Sequence, residues 1–196
     1  MDVVVQFLRS IHPLSPELEE HLAQTLKHRE LSKKQYLLRA SHVCRNICFI
    51  KQGILRCFYI KDQHEICSWF MKEGDVIVSV ESFFQQKASY ESIQAIEPCE
   101  VYCIEHSQLE YIYRHFPEFN FVARVLLQKY YMLSEQRLYS LRMQRSQERY
   151  DYLMNNHPDL ILRVPAKYLA SYLGITEVTL SKIKGRKQNS PHVITH

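Results

Sequence analysis

The residues best suited to binding chemistry form a basic stretch near the C-terminus, TEVTLSKIKGRK, at 176–187. Cationic side chains can neutralise phosphates, and hydroxyl groups can hydrogen bond to phosphates or to base edges. Residues 142–196 contain nine Lys and Arg against four Asp and Glu, whereas residues 1–141 contain 16 against 17. This uneven charge favours a polyanionic partner. The candidate contact residues are Thr176, Glu177, Thr179, Ser181, Lys182, Lys184, Arg186 and Lys187.

A glycine precedes this stretch, in a chain that has only four glycines. Pro165 predicts a short helix at 166–173, and Thr176 predicts the N-cap of another at 177–184. Two helices joined by a three-residue turn need positive φ at the turn, which Gly174 supplies. This spacing is typical of a helix-turn-helix, whose second helix enters the major groove of DNA; an ordinary helical hairpin is the alternative. The shared core would consist of Leu169, Leu173, Leu180 and Ile183, and Ala170 is small because the second helix crosses over it.

The rest of the chain offers little for catalysis or metal binding. No Gly-rich phosphate loop, H-E-x-x-H or G-x-S-x-G sequence occurs. The nearest approach to a Cys–His couple is His42 near Cys44 and His106 near Cys103, and sequence neighbours in strands point to different faces. The six cysteines lack zinc-knuckle spacing, so in a reducing compartment we expect free, mostly buried thiols. We predict no enzyme activity, no metal site and no cofactor.

The sequence contains no apolar run of about 18 residues, the length a membrane-spanning helix needs. Its N-terminus, MDVVVQFLRSIHP, has an acidic residue at position 2 and lacks the basic start of a signal peptide. We therefore expect a cytoplasmic protein without a membrane partner.

The first two thirds of the chain change from a helical to a strand pattern. A short amphipathic helix is predicted at 15–30, with Ser15 as N-cap and leucines four residues apart. From Glu30 to about Ile104, β-branched and aromatic runs alternate with turn-like segments, as in a β-sandwich or barrel. The runs are QYLLR, ICFI, ILRCFYI, EICSWFM, DVIVSV, SIQAI and EVYCI.

A helical pattern returns after His106, and Pro117 predicts the start of a long helix with neither proline nor glycine to roughly Tyr152. One edge has the 4-3-4-3 spacing of a paired helix, and a second apolar edge lies beside it. One face can pack on the β domain, and the other needs a partner, which favours a symmetric homodimer over a single-chain core helix. The predicted dimer seam is Leu127, Tyr131, Ser134, Leu138 and Leu141.

A β-roll, a long helix and a helix-turn-helix, in this order, resemble the Crp/Fnr transcription regulators nearly end to end. IKQGILRCFYI and KDQHEICSWFMKEGDVI are similar to the strand-turn-strand run before that family's nucleotide pocket. RYDYLMNNHPDLILRVPAKYLASYLGITEVTLSKIKGR resembles the C-terminal half of short Bacteroidetes-type members. The resemblance implies an α+β protein. Its expected parts are a cyclic-nucleotide-binding-like β-roll (double-stranded β-helix or jelly roll) at 1–116, a dimerisation helix at 117–145 and a helix-turn-helix DNA-binding domain at 146–196.

The effector pocket departs from the family pattern. Val78 and Ser79 stand at the positions of the family's ribose-binding glycine and glutamate. Ser89, Tyr90 and Glu91 stand at the positions of the arginine, serine and alanine that bind the cyclic phosphate. Phosphate binding needs a cation or a ring of N–H donors, and here the arginine is gone and a carboxylate is present. We predict a degenerate pocket that does not respond to cAMP.

The recognition helix departs as well. The family's base-reading arginine, glutamate and arginine fall on Glu177, Val178 and Lys182, so a different operator is expected. We assign base reading to Thr179, Ser181 and Lys182, and phosphate contacts to Lys184, Arg186 and Lys187. Only about ten residues follow this helix, so the family's two-stranded wing is expected to be short or absent.

The leading hypothesis is a dimeric DNA-binding transcription regulator that is not an enzyme. Its expected partners are double-stranded DNA, a second copy of the chain, RNA polymerase if it is an activator, and an unidentified small-molecule effector. The alternative is a cyclic-nucleotide-fold ligand or interaction module that has lost sequence-specific DNA binding. A titration with random duplex at two salt concentrations separates the two hypotheses.

Overall fold

The structure, a computed structural model, describes residues 2–188, with the backbone alone described for residues 186–188. The helices are α1 Asp2–Arg9, α2 Pro16–Thr25, α3 Val80–Gln85, α4 His106–His115, α5 Pro117–Met143, α6 Ser146–Asn156, α7 Pro158–Arg163, α8 Ala166–Leu173 and α9 Glu177–Gln188. The strands are β1 Lys27–Leu31, β2 Tyr36–Leu38, β3 Asn46–Gln52, β4 Leu55–Lys61, β5 His64–Met71, β6 Val76–Ile77, β7 Ser92–Ala95 and β8 Cys99–Glu105. The predicted combination of a β-roll with a long helix is confirmed.

The strands form two four-stranded sheets, in the orders β1-β8-β3-β6 and β2-β7-β4-β5, and all the pairs are antiparallel. The β4–β5 hairpin shows how the sequence sets the register. Lys61 pairs with His64, so the loop is the dipeptide Asp62-Gln63, and both of its residues have positive φ. Positive φ at both residues is the geometry of a type I′ turn, which matches the twist of the two strands, and aspartate tolerates it better than most residues.

Two hydrophobic clusters hold the chain together. The first joins α1, α2, both sheets, α4 and the start of α5. The second joins β4 and β5 to the helices from α6 onward, with Phe58 and Phe70 on the strand side. The C-terminal helices therefore pack directly on the β-roll. Within residues 2–188, no helix is long and apolar enough to cross a membrane.

Two predicted boundaries within residues 1–116 were wrong. The helix predicted at 15–30 ends at Thr25, because the chain then enters β1, which pairs with β8. The run DVIVSV gives only the short strand β6, and α3 begins at Val80. The long helix ends at Met143, two residues before the predicted end of the dimerisation helix at 145. No proline or glycine ends this helix. The chain instead begins α6, and the Glu148 carboxylate stabilises that start by accepting the backbone N–H of the N-cap residue Arg145 at 2.7 Å.

The expectation of six free thiols was also wrong. Cys48 on β3 and Cys103 on β8 are directly paired across the sheet and form a disulfide. The other four cysteines are free and buried, as expected. Burial raises the pKa of the Cys99 thiol to about 11, so this group is a poor nucleophile at neutral pH.

Candidate functional site

The turn after α8 has the geometry that the sequence predicted. Gly174 lies in the left-handed region, with φ 64° and ψ 38°. Its N–H donates to the carbonyl oxygens of Ala170 and Ser171, and the N–H of Ile175 donates to Ala170 at 3.0 Å. These bonds satisfy carbonyl groups that the end of a helix otherwise leaves unpaired. The predicted helix 166–173 is confirmed at both ends.

The start of α9 is capped by a side chain. Thr176 Oγ1 accepts the N–H of Thr179 at 3.1 Å, which is the N-cap bond expected of this residue. The helix then runs to Gln188, beyond the predicted end at Lys184. Both helices bury one side. The predicted shared core is confirmed by five side chains that are at most 5% exposed: Leu169, Ala170, Leu173, Leu180 and Ile183.

The opposite side of α9 faces solvent. Its exposed side chains, at spacings of one, three and four residues, form a single strip, which we call the α9 face: Glu177, Val178, Ser181 and Lys182. Two predicted contact residues lie partly outside this strip. Thr179 is half-buried and its hydroxyl is 3.0 Å from that of Thr176, and Lys184 is half-buried. The side chains of Arg186 and Lys187, and the predicted wing at 189–196, lie outside the described residues.

Helix α8 is the element that fixes the α9 face relative to the β-roll. The Ser171 hydroxyl donates to the carbonyl oxygen of Glu65 at 3.0 Å and accepts the N–H of Cys67 at 2.9 Å, which extends the hydrogen bonding of β5 onto α8. The guanidinium of Arg56 lies 3.7 Å from the ring centroid of Tyr168. Arg56 is 1% exposed, and Glu65 balances its charge at 2.8 Å. Sequence reasoning missed this buried arginine, because its burial depends on packing between strand and helix.

Ion pairs join α7 to the β-roll beside this contact. Arg163 Nη2 lies 2.6 Å from Glu73 Oε1 and also pairs with Glu97. The hydrogen bond from Arg163 lowers the pKa of Glu73 to about 2. Lys72 Nζ lies 2.6 Å from Asp159 Oδ2. These side chains are partly exposed, so water and salt screen each pair and its contribution to stability is small.

Helix α5 presents the two apolar edges that the sequence predicted. On the inner edge, the Tyr130 hydroxyl accepts the N–H of Val76 at 2.7 Å, and Leu126 packs against the first hydrophobic cluster. Burial raises the pKa of Tyr130 to about 12. The outer edge is the predicted dimer seam, and all of its side chains are exposed in the single chain: Leu127, Tyr131, Ser134, Leu138 and Leu141.

In the segment predicted as a degenerate effector pocket, the serine hydroxyl groups hydrogen bond to each other and to the backbone. Ser79 Oγ lies 2.9 Å from Ser89 Oγ, and both residues are buried. The Ser89 hydroxyl donates to the backbone carbonyl of Glu91 at 2.8 Å and accepts its N–H at 3.1 Å. Burial raises the pKa of the Glu91 carboxyl, and a hydrogen bond with Ser79 opposes this effect. Val78 is half-buried and Tyr90 is exposed.

Comparison with known proteins identifies the β-roll. Residues 28–116 match the cyclic nucleotide-binding domain. FixK2 from Bradyrhizobium japonicum has a similar structure, with a TM-score of 0.71 and 17% identity, over 83% of this chain and 84% of that one. The c-di-GMP-responsive global regulator CLP from Xanthomonas campestris gives a TM-score of 0.71 and 14% identity, over 89% and 92%. A transcriptional regulator of the Crp/Fnr family from Eubacterium rectale gives 0.69 and 15%, over 89% and 84%.

The chain has the fold of these three proteins. The structural match extends beyond the cyclic nucleotide-binding domain, since it covers more than four fifths of the chain. The comparison with curated protein sequences finds no match.

The region that matches the cyclic nucleotide-binding domain leaves space for a ligand against α5. A cavity of about 540 Å³ lies between the sheets and α5. Its size falls within the range of small-molecule sites, about 300–1,000 Å³. Most of its wall is apolar, and Glu91 contributes a carboxyl group. The sequence indicated a pocket in the β-roll but not its volume or its lining, because these depend on how the two sheets pack.

Proposed function

We propose that this protein is a homodimeric transcription regulator of the Crp/Fnr type, a short Bacteroidetes-type member whose degenerate pocket does not bind cAMP. In this proposal residues 1–116 form the sensor, 117–145 the dimerisation helix and 146–196 the helix-turn-helix domain. The protein acts in the cytoplasm on double-stranded DNA, and contacts RNA polymerase if it is an activator. It has no catalytic role.

The observation that carries the proposal is the helix pair α8–α9. One side of the pair is buried, and the α9 face is left exposed with Ser181 and Lys182 at its centre. A helix held by its neighbour with one polar strip free is the arrangement that major-groove recognition requires. CLP, which has the same fold, is described as a regulator of gene expression. The exposed seam on α5 supports a dimer, because it leaves several large apolar side chains in water.

The test is a fluorescence anisotropy titration of the full chain. Genomic fragments that the protein selects are compared with random duplex at low and moderate salt. We expect affinity for both duplexes to fall as salt rises, and the selected fragment to bind at least about 1,000-fold more tightly, as specific binders do. Equal affinity for the two duplexes contradicts sequence-specific recognition.

A second titration addresses the pocket. The ordinary phosphate-binding cation is replaced by Ser89, and the Glu91 carboxyl lies nearby. Calorimetry with cAMP and with cGMP is expected to show no saturable heat, because Ser89 offers no charge to the phosphate and Arg124, the cation among the described cavity residues, lies over the ring of Phe121. A dissociation constant in the micromolar range or below for either nucleotide contradicts the proposal.

The composition of the α9 face supports a second candidate function. Glu177 is exposed at the start of the face and repels phosphates, and Val178 is 65% exposed and apolar. These residues favour an interaction or ligand-binding module that has lost sequence-specific DNA binding. Under this alternative, no duplex binds above the level explained by net charge, while the dimer remains intact.

A further inference from the structure

One end of the cavity in the cyclic nucleotide-binding domain combines a carboxyl group with aromatic rings. Glu91 lines this cavity together with Tyr59, Trp69, Tyr90 and Phe84. The rings of Tyr59 and Tyr90 lie 6.2 Å apart, so they form neighbouring walls. Aromatic faces attract cations, and a carboxylate in apolar surroundings does so more strongly.

Trp69 and Glu91 lie near the same part of the cavity. Cys57 on β4 pairs directly with Trp69 on β5, and both residues line the cavity. On its other side Cys57 pairs with Ile93 on β7, two residues after Glu91, so the strand register places Glu91 beside this strand pair. A ligand that contacts Glu91 is therefore within reach of the Trp69 ring.

The described residues supply little positive charge to this space. The Glu91 carboxyl has a hydrogen bond with Ser79, and no described Lys or Arg forms an ion pair with it. Of the described side chains that line the cavity, the cationic one is Arg124 on α5. Its guanidinium lies over the ring of Phe121 at 4.8 Å and donates to Gln128 at 3.4 Å. Glu91 thus lacks an ion-pair partner among these residues.

We infer that this cavity binds an organic ammonium ion with an apolar body, its charged group on Glu91 and its body between Trp69, Tyr59 and Tyr90. The ammonium group supplies the missing ion-pair partner and stacks on aromatic faces, and the apolar body fills a cavity about 540 Å³ in volume. An anionic ligand of the same size leaves two negative groups close together in apolar surroundings, which is unfavourable.

The experiment uses three probes with the same chain and different head groups: n-octylamine, n-octanol and n-octanoate. Trp69 is the single tryptophan of the chain, so its fluorescence reports occupancy of the cavity without a label. Calorimetry on the same full-length protein gives independent dissociation constants. We expect octylamine to bind at least about tenfold more tightly than octanol, since a charge-assisted hydrogen bond contributes more than a neutral one. Octanoate is expected to bind most weakly.

The matched variant is Glu91→Gln, which keeps the shape of the side chain and removes its charge. It should weaken octylamine binding at least about tenfold and leave octanol binding unchanged. Retained octanol binding shows that the cavity of the variant is intact. The inference is overturned if octanoate binds as tightly as octylamine, if Glu91→Gln binds octylamine like the wild type, or if octylamine does not saturate at millimolar concentration.

The inference rests on the proposed function only in calling this ligand an effector. Binding of octylamine is measured without DNA, so it can succeed where regulation fails. Anisotropy titrations of the selected duplex with and without octylamine then measure the coupling. A change in affinity for duplex makes the ammonium ion an effector, because a ligand shifts an equilibrium only through differential affinity for two states. Unchanged affinity for duplex contradicts that effector role and leaves the binding result standing.

Discussion

The segment at 79–91, which contains the predicted effector-pocket residues, and the α9 face both contain serine. The serine hydroxyl groups are buried in the segment and exposed on the face. In the segment, the hydroxyl groups of Ser79 and Ser89 are buried and hydrogen bonded to each other. On the α9 face, Ser181 and Lys182 are exposed to solvent. Buried polar groups must be satisfied inside the protein, whereas exposed groups exchange water for a ligand at little cost. The two serine hydroxyls of the segment are therefore occupied by each other, and that of Ser181 on the α9 face is open to a partner.

The α5 seam belongs with the α9 face in this comparison, since both surfaces are exposed in the single chain. They differ in chemistry: the seam is mostly apolar and the α9 face is mostly polar. A homodimer buries the α5 seam and exposes two copies of the α9 face, at a spacing that two DNA half-sites can match. The predictions below disturb these surfaces and the junction between them, in order of decreasing effect.

The largest effect is expected from Leu138→Glu on the α5 seam. Leu138 is 45% exposed in the single chain, so a carboxylate there is tolerated in the monomer and is buried without a partner in the dimer. Sedimentation should show a monomer, and affinity for the selected duplex should fall at least about 100-fold, because one half-site loses the effective concentration that the second supplies.

The matched control is Leu162→Glu on α7, where the leucine is 87% exposed and lies outside the predicted seam. This variant should remain a dimer and keep its affinity for duplex. If Leu138→Glu stays dimeric, the seam has been assigned to the wrong edge of α5.

The second-largest effect is expected from substitution of Gly174, in the turn that supports the α9 face. Gly174 has φ 64°, and a Cβ placed there would meet its nearest neighbour, Leu141 Cδ2, at 3.6 Å, an ordinary contact. The cost of substitution is therefore backbone strain, about 1–3 kcal/mol for a residue other than glycine in this region. Gly174→Val should lie at the upper end of that range because valine is β-branched, and Gly174→Ala at the lower end.

Urea denaturation of both variants checks this order. A Gly174→Val protein that is as stable as the wild type would mean that the turn adopts another conformation. Duplex affinity of folded Gly174→Ala should stay close to that of the wild type, since the α9 face itself is unchanged.

The turn and the cavity show how far the sequence could lead. Helix 166–173, the glycine turn and the buried side of the pair were predictable, because caps, positive φ and periodicity act within about ten residues. The volume and lining of the cavity, the Arg56–Tyr168 contact and the Cys48–Cys103 disulfide were not. Each depends on which strands or helices become neighbours, and a register between distant segments is not encoded in local spacing.

The third prediction tests the α9 face directly. Lys182 is exposed on this strip, and Lys182→Ala should cost about 1–3 kcal/mol on the selected duplex and relax specificity at one base position. Anisotropy titrations against the selected and random duplexes at one salt concentration separate two roles. A loss restricted to the selected duplex indicates base reading. An equal loss on both duplexes assigns Lys182 to a phosphate, and the base reading falls to Ser181.

The control for Lys182 is Lys33→Ala, an equal change of net charge at an exposed lysine between β1 and β2. It should leave affinity and salt dependence nearly unchanged, whereas loss of one phosphate contact lowers the salt slope by about 1. A comparable loss in both variants would mean that binding follows net charge and that the α9 face has no special role.

The smallest effect is expected at the junction between the β-roll and the C-terminal helices. Arg163 holds the pKa of Glu73 at about 2, below its ordinary value of 4.5, so the pair stabilises the fold fully above about pH 4.5 and less as the pH falls toward 2. Both side chains are roughly one third exposed, so Glu73→Gln should cost about 1 kcal/mol or less at pH 7. Glutamine can still accept the N–H of Gly53, which Glu73 Oε1 accepts at 2.7 Å, so the variant removes the charge and keeps the turn.

Urea unfolding at pH 7 and pH 3 measures this contribution. The difference in free energy of unfolding between Glu73→Gln and wild type should shrink by more than half at the lower pH. A control, Glu20→Gln on the exposed side of α2, should show no such change. If the Glu73→Gln difference is the same at both pH values, the ion pair does not contribute to the junction, and the buried contact of Arg56 with Tyr168 must hold α8 on the β-roll.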